Sequence, residues 1–482
     1  MKLWPSKYNV LFRLQLPDDT EIYVLQNLFH GQVDFFSPPI PSLFKDLEHS
    51  TEIQVTNEKK LGVLDRLIEK KFLYRSREEE INLVQKYVDT EGQRDAIIAH
   101  QRGSQYCFLP TYACNLRCPY CFQRKIADKG HIINEEMVDL AFSAIDELEK
   151  NATAQRDTLG GQMPVPGISI AGGEPLLTSI RQRRVLERII QCSEDRGFRY
   201  SVVTNGVKLK DYVDMFDRTL MITDIQVTID GPAWIHNIRR AFADGRGTFH
   251  LIERGVNAAL DKRLPLSLRV NIDLENIDYV KDLGAFILDT GWLNAENFHC
   301  YVSPVTDNSS LGGYDRIADE SLLLEKMLAL RDSDPDIAKI FNINHFLGFN
   351  YVRKLVEERE PKLPVLYRCE AVLGMYIFDP RGNIYVCLEA SGNPQFSVGS
   401  YVPKLELSDA KIDEWFTKDL VHSPACSGCK VRFICAGGCA FKAFVEPDNP
   451  DCKPILKEMQ MAWNHFREQV AKDILCNVES DN

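Results

Sequence analysis

Three cysteines fall within eight residues in Cys114-Asn115-Leu116-Arg117-Cys118-Pro119-Tyr120-Cys121. Three thiolates at this spacing can wrap one side of a compact inorganic cluster, and a [4Fe–4S] cube normally takes four, one per iron. A missing fourth thiolate leaves one iron open, and an open coordination position marks a reactive site rather than a structural one. A zinc site with His131 as fourth ligand, or three core cysteines, would account for the same residues. A second group comprises Cys369, Cys387, then Cys426-x2-Cys429-x5-Cys435-x3-Cys439, and finally Cys452. A CxxC pair alone suits a zinc ribbon. Seven cysteines exceed one tetrahedral zinc and fall one short of two four-coordinate clusters. Cys107, Cys192, Cys300 and Cys476 read as small buried apolar side chains.

The first cysteine loop must be held by regular elements, and the pattern around it supplies them. From Tyr106 to about Pro304, apolar runs alternate with amphipathic stretches. The expected strands are Tyr106–Thr111, Gly167–Ala171, Tyr200–Thr204, Asp224–Ile229, Leu266–Asn271 and Phe298–Ser303. The expected helices between them are Glu135–Lys150, Arg183–Arg196, Lys210–Phe216, Phe249–Asp261 and Val280–Asp289. Strands separated by helices of this length form a parallel sheet with right-handed crossovers. Six units are too few for a closed eightfold barrel, so an open, partial barrel is expected. In such sheets chemistry sits at the carboxyl ends of strands. Those ends carry Ala171-Gly172-Gly173-Glu174-Pro175, Thr204-Asn205-Gly206 and Thr228-Ile229-Asp230-Gly231-Pro232. The glycines admit close approach of a ligand to the backbone, and Glu174 can accept a charge-assisted hydrogen bond from an ammonium group.

The flanking regions are of other kinds. Residues 1–98 alternate strands with turn chemistry and one amphipathic helix, Leu61–Lys71, which reads as a small winged module with a helical connector from Glu78 to His100. Residues 311–366 are expected to form a helical bridge with two helices over 315–360, and residues 367–482 a cysteine-rich domain ending in one helix, Ile455–Ile474. The net charge of −12 and the pI near 5.5 argue against a broad nucleic-acid surface. No apolar run approaches the ~18 residues of a membrane helix, and the first residues lack the apolar core of a signal peptide. Fourteen cysteines without an export signal point to a reducing, cytoplasmic compartment, where clustered thiols are metal or cluster ligands before they are disulfides.

Taken together, the CxxxCxxC loop and the strand-end motifs resemble the radical S-adenosylmethionine (SAM) superfamily. The resemblance implies that the amino and carboxyl groups of SAM chelate the open iron of a cluster held by Cys114, Cys118 and Cys121. It implies that Gly172, Gly173 and Glu174 hold the methionine amino group. Thr204, Thr228 and Asp230 lie at the matching strand ends, Arg240 matches the arginine of a His-x-x-x-Arg stretch beginning at His236, and Asn271 matches a polar position near the ribose. The later cysteines are similar to the SPASM extension of this superfamily. There Cys369, Cys387 and Cys439 would hold one auxiliary [4Fe–4S] cluster and Cys426, Cys429, Cys435 and Cys452 another. The first would be a thiolate short, its fourth ligand open between Cys476, a carboxylate such as Glu389, water or a substrate thiol.

The expected fold is therefore α/β: a partial (β/α)6 TIM-like barrel over 99–310, preceded by the winged module and followed by a helical bridge and the SPASM domain. The expected cofactors are SAM and three [4Fe–4S] clusters. The resemblance implies an enzyme that forms a 5′-deoxyadenosyl radical and installs a thioether or carbon–carbon crosslink in a ribosomally made peptide. An external one-electron reductant of flavodoxin or ferredoxin type would serve it, and neither nucleic acid nor membrane is an expected partner. The amino-terminal module is either a leader-recognition element or a packing domain. Sulfatase-maturing members carry an aspartate directly after the second SPASM cysteine, where this chain has Leu388; that departure demotes formylglycine formation. Maturation of an enzyme subunit, and a non-catalytic zinc-ribbon protein, are the alternatives.

Overall fold

A computed structural model of the chain describes residues 2–37, 52–54, 61–101, 105–126, 129–156, 165–306, 314–360, 364–417, 423–447 and 451–480. The amino-terminal strands are β1 (Lys2–Pro5), β2 (Asn9–Gln15), β3 (Glu21–Asn27), β4 (Val33–Phe36), β5 (Ile53–Gln54) and β6 (Leu73–Tyr74). They form two small antiparallel sheets, ordered β5-β1-β6 and β2-β3-β4. Alternation explains the hairpin of β2 and β3: Val10, Phe12 and Leu14 face inward while Arg13 and Gln15 face water. The helix Leu61–Glu69 buries Leu64 and Leu67 against Leu3, Leu25, Phe72 and Leu73. The helix Arg77–Gln101 follows, close to the expected connector.

The six barrel strands are β7 (Gln105–Phe108), β8 (Gly167–Ile170), β9 (Arg199–Thr204), β10 (Ile222–Thr228), β11 (Leu266–Ile272) and β12 (Phe298–Pro304). All neighbours pair in parallel, in the sequential order that right-handed strand–helix units produce. Every second residue (Ile168, Ile170, Tyr200, Val202, Ile225, Val227, Leu268, Val270) packs against the surrounding helices and is buried. The opposite set, including Gln226, Arg269 and Tyr301, is polar and only partly buried on β10 to β12, and apolar on β7 and β8, where Cys107, Leu109 and Ala171 cluster. The helices Phe249–Asp261 and Val280–Thr290 fall where the periodicity puts them.

The sheet does not end with the barrel. Strand β13 (Met375–Phe378) pairs in parallel with β7, and β14 (Asn383–Tyr385), β15 (Gly399–Ser400) and β16 (Glu406–Leu407) continue it antiparallel, giving ten strands in the order β12-β11-β10-β9-β8-β7-β13-β14-β15-β16. Two expectations need correction. Instead of two helices between 315 and 360, the chain forms Glu320–Ser333, the short Pro335–Ala338 and Leu347–Arg353. Pro335 and the Asp334 side-chain cap, which accepts from Ile337 N, restart the chain as a new helix. The carboxy-terminal helix is also two, Ile455–His465 and Arg467–Ser480, broken where Phe466 turns inward onto Phe349.

Candidate active site at the strand ends

The first cysteine loop leaves β7 and is clamped on two sides. On one side Leu116 bridges to Phe242 and Arg117 N donates to Ala241 O at 3.0 Å. On the other lies the glycine pair. Gly173 N donates to Thr111 O (2.9 Å) and Glu174 N to Ala113 O (2.8 Å). A Cβ on Gly173 would lie 2.2 Å from Ala113 O, and one on Gly172, whose φ is +125°, 2.7 Å from Thr111 O. Neither contact is possible for a side chain, so the glycines are required for the cysteine loop and the end of β8 to touch.

Glu174 is 1% exposed. Its Oε1 accepts from Thr204 Oγ1 (2.6 Å) and Leu176 N (2.9 Å), and its Oε2 from Asn205 N (2.7 Å), so it braces β8 against β9. Burial raises its pKa in spite of these donors. Asn205 Nδ2 in turn donates to Asn115 Oδ1 at 2.7 Å and lies 3.7 Å from Cys114 Sγ. Thr204 is thus engaged within the protein, and Thr228 is buried at the adjacent strand end.

Tyr120, inside the cysteine loop, is the hub of the opposite wall. Its hydroxyl donates to Asp230 and accepts from Arg240 Nη1 (2.6 Å) and Asn271 Nδ2 (3.3 Å). Asp230 therefore braces the loop, and it also faces Arg239 at 3.4 Å. Arg239 is held mainly by Asp273, with two bonds of 2.9 and 2.8 Å, and Glu275 and Tyr314 add further contacts, while its Nε is buried without a hydrogen bond. Arg240 likewise has a buried Nε with no hydrogen-bond partner, but it faces the cysteine loop, where its Nη1 meets Tyr120. Burial opposes its charge, yet Cys118, Tyr120 and Asp230 around it hold its pKa well above the ordinary value. A buried guanidinium with an unused donor beside three thiols suits an anionic group, such as the carboxylate of an amino acid.

Two of the three thiols are shifted by their surroundings. Burial, then Glu174, pushes Cys114 up to about 12, and burial also raises Cys118. Iron binding would displace the thiol protons. His131 is exposed on the loop beyond the cysteines, where its backbone carbonyl accepts from Thr111 Oγ1 at 2.9 Å.

The later cysteines separate into two sets. Cys369 acts on both Cys387 and Cys439, and burial, the largest cause, raises the pKa of all three. Cys435 lies among Cys426, Cys429 and Cys452, with Asp451 close by. Gly438 makes the second set possible, since a Cβ there would lie 2.6 Å from Asp451 O. Lys453, paired with Glu320 at 2.7 Å and Asp451 at 3.2 Å, pins the same segment. Among the described residues no three His, Cys, Asp or Glu side chains converge on a single ion. The side chain of Cys476 lies outside the described residues. Leu388 packs with Cys107, Leu109, Tyr112, Ala171 and Tyr385 on the inner face of the sheet. Tyr112 further ties the first loop to this region, its hydroxyl 3.1 Å from Asp379.

Tyr120, Asn205, the Arg239 clamp and Tyr112 were not singled out from sequence. Tyr120, Asn205 and Arg239 carried a signal, by standing next to motif residues.

Comparison with known proteins agrees with this geometry. Residues 108–287 match the Radical SAM superfamily. The cysteine-type anaerobic sulfatase-maturating enzyme of Clostridium novyi is 21% identical over 354 residues, 70% of this chain and 87% of that protein. The solved structure of anSMEcpe with bound AdoMet superposes with a TM-score of 0.55 at 16% identity, over 79% of this chain and 96% of that one. A second structure of anSMEcpe, with AdoMet and the Kp18Cys peptide, gives 0.56 at 15% identity, over 78% and 99%. No helix among the described residues is long and apolar enough to cross a membrane.

Proposed function

Since the chain is a radical SAM enzyme, and not a non-catalytic zinc ribbon, we propose that it installs a crosslink, thioether or carbon–carbon, in a ribosomally made peptide. When bound, the cluster and SAM supply a 5′-deoxyadenosyl radical that takes a hydrogen atom from a substrate C–H bond. The protein's part is to bind, orient and exclude water. Cys114, Cys118 and Cys121 would hold the cluster. Gly172 and Gly173 would admit the methionine amino group near Glu174, with Arg240 receiving its carboxylate. Thr228 and Asn271 would face the ribose, with Asp230 and Thr204 as braces. Cys369, Cys387 and Cys439, and Cys426, Cys429, Cys435 and Cys452, would hold the two auxiliary clusters. A one-electron carrier of flavodoxin or ferredoxin type would reduce the enzyme in the cytoplasm.

One observation carries the choice of crosslinking: Leu388, directly after Cys387, packs among apolar residues of the inner sheet face, where a sulfatase-type maturase would present a carboxylate base. A hydrocarbon there cannot take a proton from a substrate thiol or hydroxyl. The similarity to sulfatase-maturating enzymes supports a second reading, oxidation of one side chain in a protein. In the amino-terminal module β4 is a sheet edge, onto which a leader strand could add.

Anaerobic incubation with SAM, reductant and the peptide encoded beside this protein's own gene tests the reading by mass spectrometry. The expected product has lost two hydrogens and does not react with hydrazine, and Cys114→Ala protein releases no deoxyadenosine. A hydrazine-reactive aldehyde on the product would overturn crosslinking. Undiminished deoxyadenosine release by Cys114→Ala protein would overturn the whole assignment.

A further inference from the structure

Strand β12 is the last of its sheet, so its outer edge is where the partial barrel stays open. Residues 340–345 cover part of that edge through one parallel bridge, with Asn342 N donating to Cys300 O (2.9 Å) and Val302 N to Asn342 O (3.0 Å). Both segments line a cavity of about 690 Å³, whose walls combine Phe298, Ile340 and Phe341 with Arg331, Lys339 and Arg353. The charges there do not balance. Glu357 is the one carboxylate among the described lining residues, and Arg353 holds it at 2.9 Å, with Glu358 at 3.0 Å. Lys339 reaches Asp336 at 3.2 Å in an exposed pair, which is worth little in water. Arg331 makes no ion pair among the described residues: its Nη2 donates to Phe341 O (2.7 Å), and its Nε is buried without a hydrogen bond. A guanidinium partly withdrawn from water in neutral company is costly, and an anion entering the cavity would relieve it. In a chain of net charge −12 this excess of cations is local.

The cavity adjoins the reaction chamber. Tyr301 lines it, stacks on His345 (centroids 5.0 Å apart, planes at 16°) and extends its hydroxyl to Gln226 Oε1 on the inner sheet face (2.5 Å). Opposite Tyr301 in the register, Arg269 bonds Asn271 Oδ1 at 2.8 Å, and Asn271 meets the cysteine loop through Tyr120. A polar track thus joins the cavity to the strand ends. From Cys300 to the end of β12 at Pro304 is about 13 Å, the length of about four extended residues.

We infer that this cavity is a subsite for an acidic segment of the peptide substrate, with Arg331 taking a carboxylate and Lys339 serving as a second cation. The inference rests on the peptide reading above and adds what that peptide carries: an Asp, a Glu or a carboxyl terminus about four extended residues from the atom that loses hydrogen. A lone phosphate would fill little of this volume, whereas an extended peptide can lie along a strand edge while its carboxylate meets Arg331. Both cations position the substrate and take no part in the chemistry.

The first test measures binding and needs no turnover. Full-length reconstituted protein, kept without oxygen at about 0.15 M salt to screen diffuse attraction, is titrated into fluorophore-labelled tetraglutamate and tetraglutamine peptides and read by anisotropy. Tetraglutamate should bind at least ~10-fold more tightly, and Arg331→Gln should lose about that factor, the scale of one charge-assisted hydrogen bond. Arg331→Lys should keep part of the affinity, and Lys339→Glu should weaken it. Arg184→Gln removes the same charge from an exposed position on the helix Ile180–Asp195 and should bind as wild type does. Equal affinity for the two peptides, or equal weakening by Arg184→Gln and Arg331→Gln, would overturn the subsite. Should Arg331→Gln fail to fold, Lys339→Glu decides: unchanged tetraglutamate affinity would overturn it. In turnover of the gene-adjacent peptide, Arg331→Gln should raise KM with kcat unchanged, and an unchanged KM would likewise overturn the subsite. A hydrazine-reactive product sinks crosslinking alone, whereas equal peptide affinities sink the subsite and leave crosslinking in place.

Discussion

Two adjacent arginines, both buried, do different work. Arg239 closes a network with Asp230, Asp273, Glu275 and Tyr314, whereas Arg240 faces the cysteine loop, bonding Tyr120 and lying near Cys118. Removing Arg239 leaves two buried carboxylates without their cation, a loss of about 3–5 kcal/mol. Arg239→Met protein should therefore melt well below wild type. Arg240→Met should melt close to wild type but bind SAM at least ~10-fold more weakly, the loss of about one charge-assisted hydrogen bond, as read by equilibrium dialysis. Equal SAM affinity of Arg240→Met and wild type would remove Arg240 from the site. The His-x-x-x-Arg spacing made Arg240 legible in the chain, because its partners are local or part of a motif. The Arg239 clamp was not legible: Asp273 and Tyr314 come from distant segments, and nothing in a run of residues says which carboxylate a neighbour will meet.

Strands and their catalytic ends were well marked in the chain, since period-two burial on one face and a turn at each end are local properties. Where the carboxy-terminal helix broke was less visible, because the packing of Phe466 onto Phe349 made that break. The helices Leu347–Arg353 and Ile455–His465 approach so closely that a Cβ on Gly348 would lie 2.3 Å from Ile455 O and 2.7 Å from Glu458 Cβ. That contact buries Glu458 completely, with Gly348 N donating to its Oε2 at 2.7 Å and Oε1 buried without a partner. Burial, the largest cause, raises its pKa from 4.5 to about 7. The folded state therefore keeps a proton that the unfolded chain releases, and stability falls as pH rises from 4.5 to about 7. The full loss is on the order of 3 kcal/mol, at about 1.4 kcal/mol per pKa unit. Glu458→Gln should melt higher than wild type at about pH 8 and nearly the same at about pH 5, by calorimetry. A difference of equal size at both pH values would contradict this account.

On the scale of the whole molecule, one sheet runs from the barrel into the cysteine-rich domain. Parallel pairing of β7 with β13, the bond from Leu109 N to Phe378 O (2.9 Å) and the Tyr112–Asp379 contact join the two. The amino-terminal module docks on the carboxy-terminal helix as well, through Gln460 with Arg13 and Trp463 with Gln26. Thermal unfolding of the apo protein should accordingly be a single transition, and limited proteolysis should not release residues 367–480 as a folded piece. A soluble fragment with its own melting transition would show the joint to be loose. The residue order alone determined the thiol spacings, the strand-end glycines and the alternation of strand and helix, all of which act over a few residues. Only the tertiary structure decided that Asp273 and Tyr314 meet Arg239 and that the sheet crosses the expected boundary. Those outcomes depend on segments far apart in the chain being brought together, and no local pattern encodes which distant partner a side chain will face.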